Sequence, residues 1–179
     1  PCKECAVCRG NTEGTIPDLI EIDAASNTGV DDIRDIRDKV KYAPSVVKYK
    51  VYIIDEVHML SIGAFNALLK TLEEPPKHVI FILATTEHQK IPLTIVSRCQ
   101  RFDLKRITSR DIFKRLAYIA GETGIAYDEQ ALNIIAHAAE GGMRDALSLL
   151  DQAVSFSEGK VRVEDALTVT GSISNHDFT

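Results

Sequence analysis

The chain has 179 residues, 45% of them hydrophobic and 26% charged, and its formal net charge is −5 at pH 7. These are ordinary values for a folded globular protein, and they exclude a disordered, collagen-like or coiled-coil chain. The acidic balance excludes a global positive field for holding nucleic acid, so any contact with DNA is expected to be local or shared with other chains. The longest apolar runs fall far short of the roughly 18 residues of a membrane span, so no membrane partner is expected.

The first predicted element is a cysteine cluster. Cys2, Cys5 and Cys8 form a C-x2-C-x2-C pattern, and Cys99 stands far from them. Without a secretory signal, this spacing is typical of metal ligation rather than of disulfides. Structural zinc with a fourth ligand from elsewhere is preferred, and an iron–sulfur cluster and a metal-free thiol set are the alternatives. Cys99 is predicted to be a buried thiol. Because the sequence begins with Pro1 rather than Met, we expect an excised piece of a longer chain.

Three apolar runs rich in valine and isoleucine predict buried parallel strands. They lie at 19–22, 51–54 and 79–84. Between them, apolar residues recur at helical spacing over 30–40, and Ser61 caps a second helical pattern that Pro75 and Pro76 stop. Strands that alternate with helices predict an α/β fold with a parallel sheet.

Beyond about Leu104 helical periodicity takes over, which predicts a second, all-α domain. Thr108, with Asp111 three residues later, is a candidate helix N-cap, and Asp128 is another. Further helices are predicted from Met143 to about 154 and over 163–169.

Candidate chemistry lies where the two central strands end, the edge at which open α/β sheets bind ligands. The strand at 51–54 delivers Asp55 and Glu56, which suit Mg²⁺ binding and water activation in a phosphate-hydrolysing site. The next strand leads into Thr85 and Thr86, whose hydroxyls would lie beside the acids if the strands are adjacent. Arg98 is a lone cation suited to stabilising a transferring phosphate across a subunit boundary.

Together these segments closely resemble the bacterial DNA polymerase III gamma/tau subunits, clamp-loader ATPases of the AAA+ family. The carrying motifs are EIDAAS at 21–26, VYIIDEVHML at 51–60, LLKTLEEPP at 68–76, ATTEHQKIP at 84–92, SRC at 97–99 and GMRDAL at 142–147. The resemblance implies an N-terminally truncated AAA+ P-loop-type parallel sheet over 1–107, with a small zinc module at 1–14. A helical lid domain would follow at 108–170, and 171–179 would link to a C-terminal oligomerisation domain.

The resemblance also implies roles in handling the chain's own ATP. Asp55 and Glu56 look like Walker B, the first as the Mg²⁺-side acid and the second as the hydrolytic base. Thr86, or as a weaker alternative Thr85, resembles sensor 1. Arg144 resembles sensor 2 at the start of a lid helix, where it would touch the γ-phosphate.

An arginine and the cysteine cluster also match motifs of the family outside the ATP-handling residues. Arg98 resembles the arginine finger, which acts on ATP bound by the adjacent subunit. Cys2, Cys5 and Cys8 resemble the last three ligands of a four-cysteine Zn²⁺ module. The implied partners are the delta and delta-prime subunits, further gamma/tau copies, the sliding clamp, and primed DNA held through the assembly. The implied setting is cytoplasmic DNA replication within the DNA polymerase III holoenzyme, a nucleotidyltransferase.

The sequence departs from the family in lacking a G-x-x-x-x-G-K-[ST] phosphate loop within its 179 residues. Because that loop holds the β- and γ-phosphates, the intact protein is predicted to be an ATPase and this chain alone to be inactive. Three alternatives are a D-E-x-H helicase, a non-hydrolysing clamp-loader relative and a zinc-bearing scaffold. His58, the histidine of that helicase pattern, is interpreted as a packing or nucleotide-coupling residue.

Overall fold

The computed structural model describes residues 2–26, 29–157 and 159–171, and the chain divides into two compact units, 1–102 and 103–179. The first unit contains α1 (Ala6–Thr12), β1 (Leu19–Asp23), α2 (Val30–Lys39), β2 (Lys50–Asp55), α3 (Ile62–Glu73), β3 (Val79–Leu83) and α4 (Leu93–Val96). The second contains α5 (Ser109–Thr123), β4 (Ala126–Tyr127), α6 (Glu129–Ala138), α7 (Met143–Phe156), β5 (Lys160–Val161) and α8 (Val163–Val169). Within the described ranges, no helix is long and apolar enough to cross a bilayer. Apart from Gly171, the predicted linker lies outside the described residues.

The predicted parallel sheet organises the first unit, and its strands lie in the order β1-β2-β3. Side chains alternate between the faces of a strand, so the in-register residues Ile22, Ile54 and Leu83 share one face. There they pack into a core with the buried sides of α2 and α3. A side chain at Gly63 in α3 would collide with Val30 of α2, so glycine permits this close approach.

The opposite face of the sheet corrects one prediction. Ile80 and Ile82 of β3 are 41% and 47% exposed, so the expectation of a strand buried on both faces is wrong there. The reason is that α2 and α3 cover the face that carries Phe81 and Leu83. An apolar run in the sequence does not distinguish a strand that is covered on one face from one covered on both.

A buried carboxylate lies at the edge of the sheet where the strands begin. Asp18 is 1% exposed and accepts backbone N–H bonds from Ser45, Val46 and Val47 at 2.7–3.3 Å. Burial alone would raise the pKa of Asp18, but these three donors and the charge of Lys50 outweigh it, so the pKa lies below its ordinary value. The loop at 45–47 is thereby bound to the start of β1.

The second unit is mainly helical, and its helix starts follow the predicted chemistry only in part. The Thr108 hydroxyl accepts the Asp111 N–H at 3.2 Å, which confirms the cap of α5. Asp128 precedes α6 but makes no side-chain cap bond there, and its carboxylate instead pairs with Lys160. The predicted cap bond is therefore wrong, because a cation on a neighbouring segment takes the carboxylate.

The prediction of a helical second domain is confirmed, and the unit also contains one short pair of strands that the sequence pattern does not predict. β4 and β5 pair in parallel, with Ala126 opposite Lys160 and Tyr127 opposite Val161. Val161 is fully buried and joins the core of the helices. Strands of two residues are too short to show an alternating pattern in the sequence.

Candidate functional site

The predicted acids and hydroxyls meet at the carboxyl-terminal edge of the sheet. Thr86 follows β3 and donates its hydroxyl to Glu56 Oε2 at 3.0 Å, and its backbone N–H lies 3.4 Å from the same oxygen. Asp55 is exposed at the end of β2, opposite Asp23 at the end of β1. The predicted adjacency of the two strands is confirmed, since β2 and β3 are neighbours.

The backbone at Glu56 is in an unusual conformation. Its φ of 47° lies in the left-handed region, which costs a non-glycine residue about 1–3 kcal/mol. The Glu56 N–H donates to Asp55 Oδ1 at 2.9 Å, and the Val57 N–H donates to the Ala84 carbonyl at 2.9 Å. Strain of this kind clusters at functional sites, and the turn directs the two adjacent carboxylates differently. No residue pattern predicts this turn.

His58 is a member of this cluster whose contacts the sequence left open. Its side chain is 7% exposed, and its Nδ1 lies 2.9 Å from Thr85 Oγ1 and 3.2 Å from Glu56 Oε2. Its Nε2 lies 3.5 Å from Glu87 Oε1. Glu87 in turn pairs with Lys90 at 2.8 Å, and the hydrogen bond from Lys90 lowers the pKa of Glu87. His58 is therefore in polar contact with the site and is more than a packing residue.

Arg98 belongs to a different cluster of the first unit. It follows α4, and its guanidinium donates to Glu73 Oε1 at 3.3 Å, the Thr94 carbonyl at 2.6 Å and Ser97 Oγ at 3.3 Å. Its side chain is 36% exposed, so it is accessible to another chain. Cys99 beside it is exposed, which makes the prediction of a buried thiol wrong. Cys99 lies in the turn that follows α4 rather than inside the core.

Arg144 lies in the second unit, exposed in the first turn of α7. A cation at a helix amino terminus opposes the helix dipole, so this arginine does not stabilise its own helix electrostatically. Asp145 follows it in the same turn and supplies the favourable negative charge. The position is consistent with a residue whose charge serves a ligand.

The three clustered cysteines converge at the start of α1. Their sulfur atoms lie within 4.8 Å of one another, and those of Cys2 and Cys8 are 3.7 Å apart. Zn–S bonds of about 2.3 Å in a tetrahedron place sulfurs about 3.8 Å apart, so the set fits a zinc ion. The Cys5 N–H donates to Cys2 Sγ at 3.3 Å and is the largest cause that lowers the pKa of Cys2 to about 6. A low thiol pKa favours the thiolate that binds metal.

Comparisons with known proteins agree with this architecture. Family models match at residues 1–108 (DNA polymerase III, delta subunit) and at residues 111–159 (DNA polymerase III clamp loader subunit, ATPase lid domain). Tau of DNA polymerase III from Bacillus subtilis is 71% identical over 97% of this chain, and the chain spans 31% of that relative's length.

Solved structures show the same fold. The RuvB Holliday junction branch migration motor of Thermotoga maritima superposes with a TM-score of 0.68 over 92% of this chain and 55% of its own, at 16% identity. A DNA polymerase III gamma subunit-related protein from the same organism has a TM-score of 0.51 over 84% of this chain and 53% of its own, at 27% identity.

The parallel sheet with acids and hydroxyls at its carboxyl edge, followed by a helical lid, defines a module of the AAA+ class. The family models and the similar sequence identify the family within this class. The chain belongs to the clamp-loader subunits of bacterial DNA polymerase III, the gamma/tau group.

Proposed function

We propose that the protein carrying this chain is a motor subunit of the DNA polymerase III clamp loader, which uses ATP binding and hydrolysis to load the sliding clamp on primed DNA. The observation that carries the proposal is the 3.0 Å bond between Thr86 and Glu56 at the sheet edge where Asp55 also ends its strand. In this arrangement Glu56 takes a proton from the attacking water, and Thr86 holds the carboxylate in place. Asp55 would hold Mg²⁺, which neutralises phosphate charge when it is bound.

The two arginines have separate proposed tasks. Arg98 reaches the ATP of an adjacent subunit, so turnover requires assembly with delta, delta-prime and further gamma/tau copies. Arg144 contacts the γ-phosphate of the chain's own ATP. Since a ligand shifts only an equilibrium whose states it binds unequally, these contacts must differ between the loaded and released assemblies. The proposed setting is the cytoplasm, within the holoenzyme that carries the nucleotidyltransferase activity.

The test compares steady-state ATP hydrolysis by two samples, with sliding clamp, partner subunits and primed DNA present. A full-length protein with this sequence should show DNA-stimulated turnover, whereas the 179-residue chain, which lacks the phosphate-loop motif, should show none. Absence of turnover in the full-length assembly would favour a non-hydrolysing scaffold. Turnover by the short chain would contradict its proposed inactivity.

Structural zinc at the cysteine cluster is a separate proposal. We expect the Cys5→Ser variant to bind Zn²⁺ at least about tenfold more weakly than the unchanged protein, because even outer groups of metal sites contribute that much. Cys99→Ser is the matched control, since Cys99 is exposed and remote in sequence. Zinc content after gel filtration and competition with a chromogenic chelator measure both variants. Equal zinc retention in the two would contradict the site, and iron in place of zinc would indicate a cluster.

A further inference from the structure

The contacts of Glu56 are unevenly divided between its two carboxylate oxygens. Oε2 faces the Thr86 hydroxyl at 3.0 Å, the Thr86 N–H at 3.4 Å and His58 Nδ1 at 3.2 Å. All contacts found for this carboxylate in the described part of the chain are to Oε2. Donors on one oxygen restrict rotation of the carboxylate, which leaves Oε1 directed elsewhere.

His58 is better shielded from solvent than the threonine that contacts the same oxygen of Glu56. Its ring is 7% exposed, whereas Thr86 is exposed, so solvent competes less for the imidazole contact. The ring is also fixed from both sides, since Nδ1 lies 2.9 Å from Thr85 Oγ1 and Nε2 lies 3.5 Å from Glu87 Oε1. Thr85 Oγ1 also accepts the Glu87 N–H at 3.0 Å, so a local bond fixes the loop after β3 that supplies both of these ring contacts.

We propose that His58 is the positioning residue for Glu56: its Nδ1–H holds Oε2 and leaves Oε1 to accept the proton of the attacking water. The inference deepens the proposed ATPase function and rests on it. With Nδ1 protonated, its one hydrogen is shared between Thr85 Oγ1 at 2.9 Å and Glu56 Oε2 at 3.2 Å, which couples the carboxylate to the loop after β3. His58 would affect the rate through Glu56 and would not touch ATP.

Two substitutions that each mimic one ring nitrogen of His58 provide the kinetic test. In His58→Asn the side-chain amide reaches the place of Nδ1, and in His58→Gln it reaches the place of Nε2. In the full-length clamp-loader assembly, His58→Gln should lower kcat about 10–100-fold, as loss of an orienting group typically does, with KM nearly unchanged. His58→Asn should restore most of that loss. The control is His88→Asn, an exposed histidine of the same unit.

The outcomes separate the inference from the function it rests on. Equal loss in the asparagine and glutamine variants, or a change in KM alone, would overturn the positioning role. A second measurement needs no turnover: nitrogen NMR of the full-length protein labelled at histidine should show Nδ1 of His58 protonated, with His58→Asn used for assignment. A ring protonated only at Nε2 would overturn the inference even if ATPase activity is normal. If the unchanged assembly lacks turnover, the proposed function fails, and the protonation of Nδ1 then decides only whether His58 holds Glu56 Oε2.

Discussion

Replacing Glu56 with glutamine is expected to lower kcat of the full-length clamp-loader assembly by about 10²–10⁴-fold while leaving ATP affinity nearly unchanged. Glutamine has almost the same shape and retains an oxygen that can accept the Thr86 hydroxyl bond, but it cannot take up a proton at neutral pH. The measurement pairs single-turnover hydrolysis with equilibrium binding of ATP.

Glu74→Gln is the control for Glu56→Gln, because Glu74 is an exposed glutamate of the same unit. It should behave as the unchanged protein does. Unimpaired hydrolysis by Glu56→Gln would remove Glu56 from the role of base. A parallel loss of ATP affinity would indicate that the substitution disturbs the strained turn rather than the chemistry.

The second large effect is expected for Arg98→Ala. An arginine supplied in trans to a transferring phosphate is typically worth about 10³–10⁵ in kcat, so DNA-stimulated turnover should fall by at least about 10³-fold. The fold should tolerate the change, since a partly exposed ion pair such as Arg98–Glu73 contributes only about 0–1 kcal/mol. ATP hydrolysis and thermal unfolding are measured together, with the exposed Arg110→Ala as the control.

Mixed assemblies test whether Arg98 acts on a neighbour. When Arg98→Ala copies are combined with Glu56→Gln copies, some interfaces join an intact Glu56 to an intact Arg98 from the adjacent subunit. Partial recovery of turnover is therefore expected. Failure to recover, with assembly verified by size, would place Arg98 and Glu56 in the same chain's reaction.

The strand ends that position the site could be predicted from the sequence, because an apolar run followed by two acids marks both the strand and its edge. The contact between Thr86 and Glu56 followed from strand adjacency. The left-handed turn at Glu56 could not be predicted, since glutamate seldom adopts it and no residue pattern encodes it. The contacts of His58 follow this turn in the chain, and they could not be predicted from the sequence either.

Two predictions made from local sequence patterns were wrong. Asp128 has the composition of a cap, yet Lys160, more than thirty positions later, takes its carboxylate. Cys99 was expected inside because free cysteine is usually buried, but it lies exposed in the turn after α4. The roles of the arginines and cysteines stay predictions, because they involve groups beyond the described chain.

Backbone bonds also cross between the loops that follow the strands. The Ala24 N–H donates to the Asp55 carbonyl at 3.0 Å, and the Val57 N–H donates to the Ala84 carbonyl at 2.9 Å. Backbone hydrogen bonds thus connect the loops after β1, β2 and β3. Substitution of a side chain leaves these main-chain bonds in place. If one loop moves, the neighbouring loops must move with it, or a hydrogen bond that contributes about 1 kcal/mol must break. The relative positions of these three loops are therefore expected to persist even in variants whose reacting side chains have been removed.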